Sequence, residues 1–220
     1  MKKKFKNGDF SEKKIKKTDI YKMKVIYRLN YVCFLLILGI LFFSCVSMPI
    51  GEKETCSRHL TAKGIKSAQQ LTDFFLSVNN TKSEKEIKEL AFLYIREAKD
   101  EGINSDCAFV QMCLETGFLR FGNLVTPEMH NYCGLGAIDS ANPGLWFPSA
   151  EIGVRAHIQH LQAYATTQSV SLKKELVDPR YSWVHKTKYA ETIFDLAGQW
   201  ATDPKYGEKL DSLLTKLEEY

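Results

Sequence analysis

The feature that most constrains the fold is a succession of apolar stripes at helical spacing, punctuated by capping residues, with almost no alternating strand pattern among them. Over Thr61–Val78 the side chains of Ile65, Ala68, Leu71, Phe75 and Val78 share one helical face. Ser83 and Glu86 have the spacing of a capping box, and the stripe behind them runs Ile87, Leu90, Ala91, Tyr94, Ile95 and Ala98 until Gly102 supplies a stop. A third helix opens at "NSD", where Asn104 or Ser105 caps and Asp106 complements the helix dipole, and it extends through Phe109, Met112 and Cys113 to Gly117. Ser149–Thr166 and roughly Lys188–Trp200 predict two more, and Asp203 followed by Pro204 predicts the start of a last one. Between Gly122 and Pro148 the character changes: four glycines (122, 134, 136, 144) and three prolines (127, 143, 148) predict a loop holding at most a minimal hairpin. The expected class is all-α or mostly α, as a single domain with this Gly/Pro-rich loop as the natural place for a site.

A chain of 220 residues holds one ordinary core plus an appendage, and the appendage is N-terminal. Tyr31–Cys45, "YVCFLLILGILFFSC", is apolar and uncharged but short of the roughly 20 residues of a membrane span, so it reads as the apolar core of an export signal. Translation from Met23 would give that signal ordinary proportions. Its end, "LFFSC", resembles a relaxed lipobox with Cys45 as the residue to be lipidated, so a membrane partner is expected through a lipid or an uncleaved signal anchor. The expected organisation is therefore a lysine-rich head and signal over 1–45, a tether over 46–60 and a folded domain over 61–220. Residues 1–24 hold ten lysines against three acids, whereas residues 46–220 hold 19 basic and 23 acidic residues, a net of −4. The basic character belongs to the targeting segment, and nothing in the domain suggests nucleic acid.

Outside the signal and lipobox stand Cys56, Cys107, Cys113 and Cys133, which permit two disulfides in three connectivities or four buried thiols. Neither CxxC spacing nor a third ligand beside His157 and His160 suggests a metal, and no cofactor is expected. Those two histidines, three apart on a helix, suit interhelical hydrogen bonds or a groove lining.

The stretch "CAFVQMCLETGFLRFG", Cys107–Gly122, places a lone carboxylate, Glu115, at the end of an apolar helix just before Gly117. A carboxyl drawn out of water has its charged form disfavoured, which suits a general acid near neutral pH. Gln111 lies one turn back and could orient it. Five blocks in order, "GINSDCAFVQMCLETGFLRFGN", "NYCGLGA", "FPSAEIGVRAHIQHLQAYA", "VDPRY" and "WATDPKYGEKL", resemble those of the bacterial glucosaminidase domains, glycoside hydrolase family 73, over about Lys63 to Leu214.

That resemblance implies a lysozyme-like fold cleaving the N-acetylglucosaminyl-β-1,4-N-acetylmuramyl bond of the peptidoglycan glycan strand, with Glu115 as the acid. It implies that Asn131, Tyr132, Gly134 and Gly136 line the groove, with Trp200 and Tyr206 as aromatic residues near the cleft, where aromatic faces suit sugar. The hairpin lobe that many members carry is reduced here to a short loop, leaving Asp139 and Glu151 as the candidates for a second carboxylate. As simpler roles, Asp139 suits a turn and Glu151 the first turn of a helix. Asp203, acidic in "TDPKY", is explained by capping. A lytic transglycosylase and a peptidoglycan-binding module without catalysis are the two other readings the blocks allow.

Overall fold

The computed structural model describes residues 21–28, 54–167 and 169–220; the apolar signal segment, Cys33 and the lipidation candidate Cys45 lie outside them. Two units are distinct, Met1–Glu52 and Lys53–Tyr220. Of the first, residues 21–28 are helical (α1). The second is mostly helical: α2 (Ala68–Val78), α3 (Glu84–Glu101), α4 (Ser105–Glu115), a 3-10 turn (Pro127–Met129), β1 (Ala137–Asp139), β2 (Asn142–Pro143), α5 (Ala150–Ala165), α6 (Tyr181–Thr187) and α7 (Tyr206–Leu217). No helix among the described residues is long and apolar enough to cross a membrane.

Local chemistry sets the boundaries. α2 begins at Ser67, which makes a full capping box with Gln70, and not at Thr61. The preceding residues stay irregular because Ile65 and Lys66 donate their backbone N–H groups, at 2.8 and 3.3 Å, to the buried Asp106 carboxylate. The stripe accordingly loses Ile65, which remains exposed. Ser83 caps α3 by accepting from the Glu86 N–H, but the Glu86 carboxylate pairs with Lys82 at 3.2 Å, so only half of the expected box forms. Asn104 settles the start of α4: its side chain accepts from the N–H groups of Asp106 and Cys107 while its amide donates to the carbonyls of Ser57 and His59.

α4 is the central helix. Nine of its eleven residues, Ser105 to Cys113, are buried on all sides, the pattern of a helix enclosed by others. It packs against α2, α3, α5 and α7. The rings of Phe75 and Tyr94 meet Phe109 edge-on at 6.5 and 5.7 Å, so truncating Phe109 to alanine would cost about 3–5 kcal/mol.

Three sequence expectations are corrected. Residues 188–200 form no helix: a bridge of Thr192 to His59, a left-handed Gly198 and the Gln199 side chain, which binds the carbonyls of Tyr189 and Asp195, replace helical bonds with turns. The helix of this region is α6, before it. α7 starts at Tyr206 rather than at Pro204, and Asp203 closes the preceding turn by accepting from the Lys205 N–H at 2.9 Å and from the Lys209 ammonium. Residues 56–60, expected in the tether, are packed into the domain: Arg58 is paired with Asp211 and Glu218 on and just after α7, and Leu60 is buried.

The four described cysteines are free and buried. Burial pushes the Cys56 thiol up to about 12 and Cys107 higher still, which makes both inert packing groups.

Candidate active site

The end of α4 delivers Glu115 to the wall of an open cavity of about 310 Å³, which is also lined by Phe121, Asn131, Gly134 and Trp200. Thr116 ends the helix, and Gly117, Phe118 and Leu119 follow in the left-handed region with φ of 57°, 57° and 56°. For bulky residues this conformation costs about 1–2 kcal/mol apiece. The turn is held by Phe118, which packs on Phe74 and Phe75, and by the Thr116 hydroxyl, which accepts from the Leu119 N–H at 2.9 Å. The chain is thus wrenched away from the helix axis directly after Glu115, and the carboxyl is left at the groove while its neighbours return to the core.

The Glu115 carboxyl is half-buried and bonded on one oxygen. Trp200 Nε1 donates to Oε1 at 2.9 Å, and the Tyr206 hydroxyl donates to the same atom in a short hydrogen bond. Oε2 has no partner among the described residues and is the oxygen left to the cavity. Burial raises the Glu115 pKa from the ordinary carboxylate range, and the bonds from Tyr206 and Trp200 offset part of that rise. Tyr206 itself is held far above the usual phenol range, by burial and then by the Glu115 charge, so it remains a donor.

Behind Tyr206 the polar groups continue inward. Gln111 Nε2 donates to the Tyr206 oxygen at 2.8 Å, and Gln111 Oε1 lies 3.0 Å from His157 Nε2. His157 Nδ1 lies 2.9 Å from the Tyr94 hydroxyl. An amide oxygen can only accept, so His157 carries its proton on Nε2 and accepts at Nδ1 from Tyr94. Burial, and then His160, depress the His157 pKa to about 3, keeping the ring neutral.

The residues expected in the groove thus divide. Asn131, Gly134 and Trp200 line the cavity with Glu115. Asn131 is also the internal tie of the loop, donating to the carbonyls of Leu135 and Leu145 and accepting from the Leu135 N–H. Trp200 is packed by His157, His160 and Tyr164, with ring centroids 5.0 to 5.8 Å away, and its indole N–H is turned to Glu115. Tyr132 and Tyr206 are buried in the core outside the cavity lining, because Tyr132 packs on Tyr94 and Tyr206 turns its hydroxyl to Glu115. Gln111, expected to orient Glu115, reaches it only through Tyr206.

Neither candidate for a second carboxylate lines the cavity. Asp139 closes the hairpin turn by accepting from the N–H groups of Ala141 and Asn142, and its bonds to Asn142 hold its pKa below the usual range. Glu151 is paired with Arg96 and Arg155, each at 2.9 Å, beside the buried Glu97 that the same arginines and Lys174 neutralise. Among the described residues no three His, Cys, Asp or Glu side chains gather as metal ligands do. His157 and His160 bond instead to Tyr94 and Gln111 and, at 2.7 Å, to Asp178.

The interhelical hydrogen bonding expected of His157 is present, to Tyr94 on α3 and Gln111 on α4; nothing in the sequence signals that it stands behind Glu115. Its place in "RAHIQH" marks a buried helix face, but only the fold brings that face to Gln111.

A mostly helical domain with one carboxyl, its pKa raised by burial, in the wall of an open groove has the build of a lysozyme-like glycosidase domain. The comparisons with known proteins agree: residues 91–219 match the glucosaminidase family model, described as mannosyl-glycoprotein endo-beta-N-acetylglucosaminidase, and the chain belongs to that family. It is also 39% identical over 169 residues to a protein of Borreliella burgdorferi described only as uncharacterized, which covers 77% of this chain and 81% of that one. No solved structure gives a significant match. Family membership makes the chain a glycoside hydrolase by kinship and points in general terms to peptidoglycan as the substrate.

Proposed function

We propose that the protein hydrolyses the N-acetylglucosaminyl-β-1,4-N-acetylmuramyl bond of peptidoglycan with Glu115 as the general acid. One observation carries the reading: the carboxyl whose pKa burial raises stands in the wall of the groove with Oε1 fixed by Trp200 and Tyr206 and Oε2 free. A protonated Oε2 would give its proton to the glycosidic oxygen as the bond breaks. The two donors on Oε1 would then stabilise the carboxylate left behind, an interaction that strengthens as charge develops and so favours the transition state over the ground state.

The second half of the displacement falls to the substrate's own acetamido group or to a loosely held water. A carboxylate pair would have to stand about 5–5.5 Å apart for retention or about 6.5–9.5 Å for inversion, and the bonds of Asp139 and Glu151 commit both to other partners. Asp139→Ala and Glu151→Ala are therefore expected to keep turnover within a few-fold of wild type.

The test is digestion of purified sacculi by the full chain, with mass spectrometry of the products. The expected fragments carry a reducing N-acetylglucosamine; 1,6-anhydro ends would replace the hydrolase reading with a transglycosylase, and sacculi bound without release of soluble fragments would leave only a binding module. We further propose that the domain is exported and held at the envelope through lipidated Cys45, on the strength of the "LFFSC" sequence. Loss of membrane fractionation in Cys45→Ala is the expected outcome.

A further inference from the structure

A second cavity of about 250 Å³ adjoins the first and shares Cys133, Gly134, Ala137 and Trp200 with it. Its chemistry differs from that of the groove. Arg180, Trp183, Lys188 and Gln199 line it, and no carboxylate does. The exposed indole of Trp183 gathers the two cations: Arg180 Cζ lies 5.7 Å and Lys188 Nζ 6.0 Å from its ring centroid.

Three observations point to an anion. First, in a domain with a net charge of −4, Arg180 and Lys188 are gathered over one ring in one cavity and make no ion pair among the described residues. Second, the acids nearest to them in sequence have other partners: buried Asp178, beside Arg180, accepts from His160 at 2.7 Å and from the Arg180 backbone N–H at 2.8 Å, and Glu191, beside Lys188, lies 3.4 Å from His59. Third, the wall is fixed rather than adaptable, since the Gln199 amide is bonded to Tyr189 and Asp195 and the Gln199 carbonyl accepts from Tyr164.

We infer that this cavity is a subsite for the carboxylate-bearing arm of the muramyl residue, with Arg180 and Lys188 holding the carboxylate and Trp183 packing on the arm. The inference rests on peptidoglycan as the substrate. A strand whose scissile bond meets Glu115 has its sugars along the first cavity, and the shared Gly134 and Trp200 wall brings a side arm within reach of the second. The carboxylate can come from the stem peptide or from the lactyl group that a missing peptide would expose; the chemistry is the same. An unsubstituted N-acetylglucosamine polymer has neither.

The test measures equilibrium binding to the full chain carrying Glu115→Gln, which leaves the strands intact. The probes are soluble glycan strands with stem peptides, the same strands after amidase treatment, and chitooligosaccharides. Adding Arg180→Gln and Lys188→Gln is expected to weaken binding of the peptide-bearing strands by at least about tenfold, the size of a lost charge-assisted hydrogen bond. Chitooligosaccharide binding is expected to stay unchanged, which also reports that the fold is intact. Weakening of the peptide-bearing strands alone assigns a stem carboxylate as the sole ligand, and weakening of the amidase-treated strands as well shows that the exposed lactyl carboxylate is taken by the same site when the stem is gone. Equal weakening of all three probes, no weakening, or no binding of peptide-bearing strands at all would overturn the subsite. The proposed hydrolysis fails separately, if the wild-type chain cleaves no strand.

Discussion

At the scale of single residues, Glu115 is governed by two opposed influences, burial that favours its proton and two donors that favour its charge. Glu115→Gln keeps the shape and removes the proton donor, so reducing-end release from sacculi should fall by about 10²–10⁴-fold, the usual contribution of a general acid. Tyr206→Phe keeps the ring in the core and deletes one of the donors that lower the pKa. The proton-bearing form is the active one, so activity declines as pH rises through the Glu115 pKa. With that pKa raised further, the alkaline limb of the pH–rate profile should move to higher pH in Tyr206→Phe; an unmoved limb would mean the hydroxyl does not tune the acid. Glu115 stood out in the sequence because a charge amid "CAFVQMCLETGF" is conspicuous, and the five family-like blocks singled it out as the expected acid. Its partners were not legible there: Tyr206 lies 91 residues from Glu115 and 95 from Gln111, and the aromatic that suggested a sugar platform is a buried hydrogen-bond donor.

At the scale of elements, capping chemistry and apolar spacing located α3, α4 and α5 to within a residue or two, because their ends are set by Ser83, Asn104 and Ser149 acting locally. Residues 188–200 misled for a physical reason. Ala190, Ile193 and Leu196 are fully buried at a spacing of three, which imitates a helical stripe, while the backbone bonds go to Arg58, Tyr164 and the Gln199 side chain. The start of α2 was likewise decided from a distance, by Asp106. Where α5 crosses the groove loop, the contact leaves no room: a Cβ on Gly153 would fall 1.8 Å from the His130 carbonyl oxygen. Gly153→Ala must push α5 off the loop that carries Asn131 and Gly134. It should lower the melting temperature by several degrees, corresponding to about 1–3 kcal/mol for an overpacked site, and reduce turnover in the molecules that remain folded. A melt identical to wild type would contradict this packing.

At the scale of the whole molecule, the buried histidine links stability to pH. His157 takes up its proton near 6.5 when unfolded and near 3 when folded, so between those values the unfolded chain binds more protons. Stability therefore rises with pH across that window and is lost as pH falls through it. Glu115 acts in the opposite sense, since its folded pKa is the higher one. The larger displacement is that of His157, so the melting temperature should fall on acidification from pH 6.5 towards 4, and His157→Gln, with no ring to protonate, should flatten that dependence. The bonds that fix His157 have one further consequence. Each group from Tyr94 through His157, Gln111 and Tyr206 gives its hydrogen to the next, and the last gives to Glu115. A Gln amide in the middle of such a chain cannot pass a proton along, and the chain begins in the core with no contact to solvent. Its interior end is therefore electrically directional but chemically closed: it can hold the carboxyl in place through every turnover, while the proton that Glu115 spends in the proposed reaction is restored from the water of the groove, through Oε2.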